Sequence, residues 1–304
     1  MRDRYIEIHL ELTTRCNFRC FFCPIGKLTR SDASMTKEQA FRIINEITKE
    51  DLSSRVAYHL MGEPLLHPEL GDILRHASEK GLTNRVVTNG SLLSGSRILP
   101  KLEFCDVLDI SLRAANDDDF SRICINKSIS YNEYLEGIRS FLSQRQTSPV
   151  GKIRLRLFRS DGCYDLLKAM GLEVPGDEEV RTLRYDEKLE LLFDTCLDWT
   201  GKKRRYPVRH FGECQEFEEG FSILVNGDVT TCCWDYDGRN VLGNIFDDGG
   251  IRAVLSNEKA ERFRGMFAKR RVPTEACAQC LARPTLARCV GYQGKQLVNS
   301  LLGR

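Results

Sequence analysis

The sequence predicts an α/β protein in two parts: a parallel sheet covered by helices, then a smaller cysteine-bearing unit. Two observations predict the first part. Strand-like and helix-like segments alternate through the first half of the chain, and turn signals such as Asn89-Gly90 separate them. A third predicts the second part. Cysteines gather in two fields, one near the start and one in the last third.

The elements follow in order. Ile6–Leu12 reads as a strand and Thr36–Glu50 as a helix. Val56–Leu60 is a strand, Pro68–Lys80 a helix, Arg85–Thr88 a strand and Ser96–Leu102 a short helix. Val107–Leu112 is a strand, Tyr131–Ser143 a helix and Ile153–Phe158 a strand. Thr182–Tyr185 is the candidate sixth strand, and Glu187–Trp199 reads as a helix before the basic run Lys202-Lys203-Arg204-Arg205. Apolar residues alternate or run continuously in the strands and recur at i, i+3, i+4 in the helices. Further on, Phe221–Val225, Asn226-Gly227 and Asp228–Thr231 read as a β-hairpin, and Glu258–Ala268 as a helix.

The chain has 304 residues, with 45 basic against 43 acidic, so nothing points to nucleic acid or a membrane surface. No apolar run approaches the roughly 18–20 residues that span a bilayer. The charged start, Met1-Arg2-Asp3-Arg4, does not read as a secretory signal. Thirteen cysteines without such a signal argue for metal ligation in a reducing, cytoplasmic setting.

The first cysteine field is Cys16-Asn17-Phe18-Arg19-Cys20-Phe21-Phe22-Cys23, directly after the first strand. In parallel α/β sheets, that places it at the carboxyl ends of the strands, where active sites form. Three thiolates in C-x3-C-x2-C spacing can hold three irons of a four-iron four-sulfur cluster and leave the fourth iron open. Structural zinc takes four ligands, which this spacing does not supply.

These residues resemble the radical S-adenosylmethionine (radical SAM) superfamily, in which the open iron is chelated by SAM. Phe22, before the third cysteine, is the residue type that family prefers there. The loop His59-Leu60-Met61-Gly62-Glu63-Pro64 follows the second strand and is similar to the family's Gly-Gly-Glu-Pro loop, with Met61 at the first glycine. The resemblance implies that Gly62, Glu63 and Pro64 bind the amino end of SAM. It implies a ribose contact for Ser111, a comparable role for Asn89, and a carboxylate contact for Arg156 or Arg154. Each has a competing structural role: a turn, a strand-end cap, an exposed charge. His59 and His67 flank the loop as hydrogen-bonding support, with substrate contact by His59 as the alternative.

The second field is Cys214, Cys232, Cys233, Cys277, Cys280 and Cys289. A hairpin brings its two ends together, so it places Cys214 beside Cys232, while Cys277 and Cys280 form a C-x2-C pair. The pattern C-x12-G-x4-C, then Leu242-Gly243-Asn244-Ile245, then C-x2-C resembles the SPASM/twitch extension in its single-cluster version. That implies a second, auxiliary four-iron cluster on Cys214, Cys232, Cys277 and Cys280. Zinc competes for these four ligands. Cys233 is a candidate hydrogen-atom donor to the substrate, or a buried structural thiol. Cys105, Cys124, Cys163 and Cys196 read mostly as core.

The family likeness implies a partial (β/α)6 TIM-like barrel over 1–185, a linker helix and basic linker over 186–213, and a small β-hairpin-plus-helix SPASM/twitch domain over 214–304. It implies reductive SAM cleavage, supplied with electrons by flavodoxin or ferredoxin, and hydrogen abstraction from a substrate C–H bond. The first strand begins after five residues, leaving no room for a peptide-recognition domain. The expected substrate is therefore a sugar, aminocyclitol or nucleoside, which is oxidised or epimerised. A peptide-modifying enzyme is the alternative, and a non-catalytic iron–sulfur or zinc scaffold is the alternative class.

Overall fold

The computed structural model describes residues 4–94, 98–125, 129–158, 162–174, 181–194 and 210–280. The barrel part runs β1 (Glu7–Leu10), α1 (Lys37–Lys49), β2 (Arg55–Tyr58), α2 (Leu70–Glu79), β3 (Thr83–Thr88), β4 (Val107–Leu112), α3 (Asp117–Ile123), α4 (Tyr131–Ser143), β5 (Lys152–Phe158), α5 (Cys163–Ala169), β6 (Thr182–Arg184) and β7 (Leu189–Asp194). The cysteine-bearing part follows: α6 (Gln215–Glu219), β8 (Gly220–Ile223), β9 (Asp228–Thr230), β10 (Val241–Asn244), α7 (Ile251–Leu255), α8 (Glu258–Ala268) and α9 (Glu275–Ala278).

Among the described residues, all ten strands form one sheet in the order β10-β9-β8-β1-β2-β3-β4-β5-β7-β6. The six central strands are parallel. One register row, Leu10, Tyr58, Val86, Leu108, Ile153 and Leu189, crosses all six. Every member of that row is fully buried, so one face of the sheet packs as core. The alternate positions carry charge: Glu7 and His9 on β1, Arg85 on β3, Asp109 on β4, Arg154 and Arg156 on β5, Glu190 and Asp194 on β7. The period of two separates the two faces.

The helices start where local chemistry sets them. Thr36 and Gln39 form a capping box at α1, as do Ser130 and Glu133 at α4. α1 buries Ala40, Ile43, Ile44 and Ile47, an i, i+3, i+4, i+7 stripe.

Three expectations are corrected. The helix expected over Glu187–Trp199 is a strand in its described part, because Leu189, Leu191 and Phe193 alternate inward with Glu190, Leu192 and Asp194. This strand takes the sixth parallel position. The segment expected there, now β6, pairs antiparallel to it at the sheet edge. The described part of the expected Ser96–Leu102 helix is a 3-10 turn, Leu99–Leu102. The basic run at 202–205, Cys196 and Cys289 lie outside the described residues.

The cysteine-bearing part is not a separate body. β8 runs parallel to β1, Glu7 to Leu10 against Gly220 to Ile223, so the hairpin continues the barrel's sheet. The approach is close: a Cβ on Gly220 would stand 2.5 Å from the Glu7 carbonyl oxygen. Phe221, Ile223 and Val229 join the same hydrophobic core as Ile8 and Leu10.

Candidate active site

The loop after β1 carries Cys16, Cys20 and Cys23, and three elements hold it. The backbone N–H groups of Arg19 and Phe21 donate to Cys124 and Ile123 at the end of α3, at 3.0 and 3.1 Å. Glu63 N–H donates to the Arg15 carbonyl at 2.8 Å. Asn89, at the end of β3, donates through Nδ2 to Asn17 Oδ1 at 2.9 Å and reaches Cys16 Sγ at 3.8 Å. The Phe18 N–H donates to Cys16 Sγ at 3.4 Å. N–H groups aimed at a ligating sulfur are the outer-shell pattern of a thiolate cluster site.

Burial pushes the Cys16 thiol up to about 12 and the Cys23 thiol up to about 11. The Cys20 thiol is raised first by its hydrogen bond with Cys124, then by burial. Metal must displace these protons, so loading is coupled to deprotonation.

The loop from residue 60 to 66 is built against the cysteine loop. Gly62 has φ +83°, and a Cβ there would stand 2.0 Å from the Thr13 carbonyl oxygen. Only glycine fits that approach. Leu60 is also left-handed, at φ +95°, an observed strain of the kind found at ligand-binding loops. Met61 stands at the first glycine position of the family loop, and its Sδ is 4.0 Å from Cys23 Sγ. Glu63 is buried and accepts from Leu65 N–H (3.0 Å), Thr88 Oγ1 (2.8 Å) and Asn89 N–H (2.7 Å). Burial lifts its carboxyl to about 7, against the pull of those three bonds. Glu63 thus ties the loop to β3, and one of its four lone-pair sites is left for an ammonium donor. Pro64 starts the 3-10 turn that Glu63 caps.

A cavity of about 700 Å³ opens over the charged face of the sheet. Its wall includes the three cysteines, Phe22, Gly62, Glu63, Asn89, Ser111 and Arg156. Seven of the eight sequence-expected SAM contacts, Arg154 included, therefore line it, and the eighth, Pro64, lies in the adjoining turn. Arg156 is committed to other charges: its Nε donates to Asp194 at 3.0 Å, and its Nη1 lies 3.6 Å from Asp109. Arg154 is likewise paired with Glu190 at 3.1 Å. Arg113 also lines the wall, pairs with Asp194 at 3.1 Å and stacks 4.4 Å over Phe158, whose ring meets Phe22 edge-on.

His59 lines the cavity with its Nε2 2.6 Å from His9 Nδ1. Burial lowers both imidazoles, His9 to about 4, so the pair is neutral at pH 7. His67 is structural: its Nε2 meets the Met35 carbonyl at 2.8 Å. Cys105 and Cys163 are core, as expected. Cys124 is buried too, but it touches Cys20 and the cavity wall. Sequence reasoning missed Cys124, His9, Arg113, Glu216 and Trp234. Strand periodicity put His9 on the polar face, but nothing in the sequence brought Glu216 and Trp234 to it.

In the second cysteine field, Cys214, Cys232, Cys277 and Cys280 lie near enough to influence one another. Cys214 caps α6, and its thiol is raised to about 12 by burial, with Cys280 and Cys277 near enough to add to the shift. Cys232 is raised by burial and then by Cys214. Asn240 Nδ2 donates to Cys277 Sγ at 3.6 Å. Zinc bonds of about 2.3 Å would hold four thiolates about 3.8 Å apart. Among the described residues, no three of these cysteines have sulfurs all within 4.8 Å of one another, and neither do Cys16, Cys20 and Cys23. Neither set is drawn together as tightly as a single ion needs.

The family comparisons agree with this geometry. The radical SAM superfamily pattern matches residues 10–149, and the SPASM iron–sulfur cluster-binding domain matches residues 214–281. The chain is a radical SAM protein with a SPASM domain. Its cofactors are accordingly a four-iron four-sulfur cluster, SAM and auxiliary iron–sulfur. It is 30% identical over 135 residues to a probable GTP 3′,8-cyclase of Saccharolobus solfataricus, covering 44% of this chain and 42% of the relative. It is 29% identical over 112 residues to an S-adenosylmethionine-dependent nucleotide dehydratase of Selenomonas ruminantium, covering 36% and 40%. The radical SAM chain thus matches less than half the length of either relative. Among solved structures, BtrN in complex with AdoMet and 2-DOIA superposes with a TM-score of 0.60 at 18% identity, over 91% of this chain and 93% of that one. SuiB of Streptococcus suis gives 0.59 at 14%, over 86% and 68%. At these identities the likeness is one of fold. Among the described residues, no helix is long and apolar enough to cross a membrane.

Proposed function

We propose that this radical SAM protein removes a hydrogen atom from a C–H bond of a small polar substrate, a sugar, aminocyclitol or nucleoside, and oxidises it. One observation carries the reading. A single cavity is lined both by Cys16, Cys20 and Cys23 and by Cys233 and Trp234, which directly follow the auxiliary-site Cys232. A substrate held there would lie between Cys16, Cys20 and Cys23 and the segment that follows Cys232. The cofactors supply SAM cleavage and the 5′-deoxyadenosyl radical. With both groups bound, the substrate would give up a hydrogen atom on the Cys16–Cys20–Cys23 side and a further electron on the Cys232 side, and the polar wall of Glu216, Asp194 and the arginines would take the proton. SAM must share the 700 Å³, which leaves room for a compact partner. The paired charges of Arg85, Arg154, Arg156, Glu190 and Asp194 suit a hydroxyl- or amine-rich one.

Epimerisation is the second reading, and it rests on Cys233. Its thiol lines the cavity and donates to Glu216 Oε2 at 3.5 Å. A hydrogen atom returned from that sulfur would invert the carbon. A peptide substrate competes with both readings, since the Streptococcus suis neighbour was also solved bound to the precursor peptide SuiA.

The test is 5′-deoxyadenosine release by anaerobically reconstituted protein with SAM and dithionite. Sugars, aminocyclitols, nucleosides and peptides are offered in deuterated water. A product two hydrogens lighter than its substrate supports oxidation. Solvent deuterium in an isomeric product supports epimerisation, and absence of 5′-deoxyadenosine defeats both.

A further inference from the structure

Three side chains that line the cavity are in neither set of expected cluster ligands. They are His9 on β1, Glu216 on α6, and Cys233. Their ligand atoms all lie within 4.8 Å of one another, and among the described residues no other histidine, cysteine or carboxylate group meets that condition. We infer that His9, Glu216 and Cys233 bind one divalent cation of the zinc(II) or iron(II) class, with an open coordination position towards the cavity.

The spacing agrees. Zinc bonds of about 2.0–2.3 Å place neighbouring donors about 3.3–3.8 Å apart in a tetrahedron. Cys233 Sγ and Glu216 Oε2 are already 3.5 Å apart. The donor set also agrees: one thiolate, one imidazole and one carboxylate suit a borderline cation and not magnesium or calcium. Three protein ligands with a fourth position open is the arrangement of a reactive metal site, not a structural one.

The surroundings orient these donors. His9 Nδ1 is taken by His59 Nε2 at 2.6 Å, which leaves Nε2 for the metal. That Nε2 is 3.6 Å from where a Cβ on Gly220 would stand, so it faces the α6–β8 junction that presents Glu216. A ligating histidine that gives its other N–H to a fixed neighbour is the common outer-shell device of metal sites. Cys233 is carried by the turn in which Asp235 N–H donates to the Cys232 carbonyl at 3.2 Å.

The inference goes beyond the oxidation reading and does not need it. A cation here would take a substrate oxygen at its open position and lower the pKa of that hydroxyl. It would also hold Cys233 as a thiolate with no hydrogen to donate, which excludes epimerisation through this sulfur.

The test uses the reconstituted holoprotein, dialysed anaerobically against micromolar zinc chloride. Zinc and iron per chain are then measured, and the zinc K-edge absorption spectrum is recorded. The expected result is about one zinc beside unchanged iron, with one sulfur and otherwise nitrogen or oxygen neighbours. His9→Asn, Glu216→Gln and Cys233→Ser should each weaken zinc binding at least tenfold while keeping the iron. His59→Asn should weaken it about 10–100-fold as an outer-shell change. Cys163→Ser, in the core, should leave it unchanged. No retained zinc in the wild type would overturn the site. So would zinc with several sulfur neighbours, or zinc that persists in all three ligand variants.

Discussion

Glu11 and Arg30 form a forked ion pair, with Glu11 Oε1 and Oε2 at 2.5 and 2.6 Å from the two terminal nitrogens of Arg30. Glu11 is fully buried, and burial raises its carboxyl despite the guanidinium beside it. The pair is a junction. Glu11 also accepts from Met61 N–H at 3.3 Å and Val225 N–H at 3.0 Å, and Arg30 Nε donates to the Tyr236 carbonyl at 2.9 Å. It joins the cysteine loop, the Gly62–Glu63 loop and the SPASM hairpin through one buried charge.

Removing one partner leaves the other charge stranded. Arg30→Ala should lower the unfolding free energy by about 3–5 kcal/mol. Urea denaturation, followed by circular dichroism, measures it. A loss below about 1 kcal/mol would mean that the pair behaves as an exposed bridge.

Gly62→Ala should damage SAM binding more than cluster loading. Its Cβ would strike the Thr13 carbonyl, and φ +83° adds strain of about 1–3 kcal/mol. The loop must move away from the cysteines. Equilibrium dialysis should show SAM affinity lowered at least tenfold with iron content largely kept. Wild-type affinity would show that the loop is not a SAM contact.

The two cysteine sets should load independently. Cys16, Cys20 and Cys23 replaced together by Ala should halve iron from about eight to about four per chain and abolish 5′-deoxyadenosine release. Replacing Cys214, Cys232, Cys277 and Cys280 should also halve iron, but SAM cleavage should persist. Iron and sulfide analysis with chromatography of the nucleoside distinguishes the outcomes.

His9 and Glu63 should tilt stability in opposite directions with pH. His9 is lowered from 6.5 to about 4, so the unfolded chain binds the extra proton between those values. Its contribution is complete above 6.5 and lost as pH falls towards 4. Glu63 is raised from 4.5 to about 7, so the folded chain holds the extra proton. Its contribution is complete below 4.5 and lost as pH rises through 7. From pH 4.5 to 6.5 the two nearly cancel. Glu63→Gln removes one, so the variant's stability relative to wild type should improve from pH 4.5 to 7, by about 1.4 kcal/mol per unit at most. Urea midpoints of the cluster-free chain measure this, and parallel curves for the two proteins would refute it.

Much of the site was legible because its signals are local. C-x3-C-x2-C spacing and the Gly62-Glu63-Pro64 turn are short-range, and strand alternation placed both at the carboxyl edge of the sheet. The hairpin from Phe221 to Thr231 was legible from its turn. β7 was misread as helix because charged residues from Glu187 onward mimic an amphipathic helix. Its pairing with β5 decides otherwise, since Leu189, Leu191 and Phe193 must reach one buried face.

The sequence by itself determined which residues can ligate metal, which face of each strand is polar, and that two cysteine fields exist. Those properties are carried by residue type and by spacing within a dozen positions. Only the tertiary structure decided that β8 docks beside β1, that Glu11 joins three segments, and that His9 meets Glu216 and Cys233. Each of these includes a contact between positions more than 200 residues apart. They arise because the SPASM hairpin must satisfy its backbone on the open edge of β1, and no local pattern encodes which edge is open.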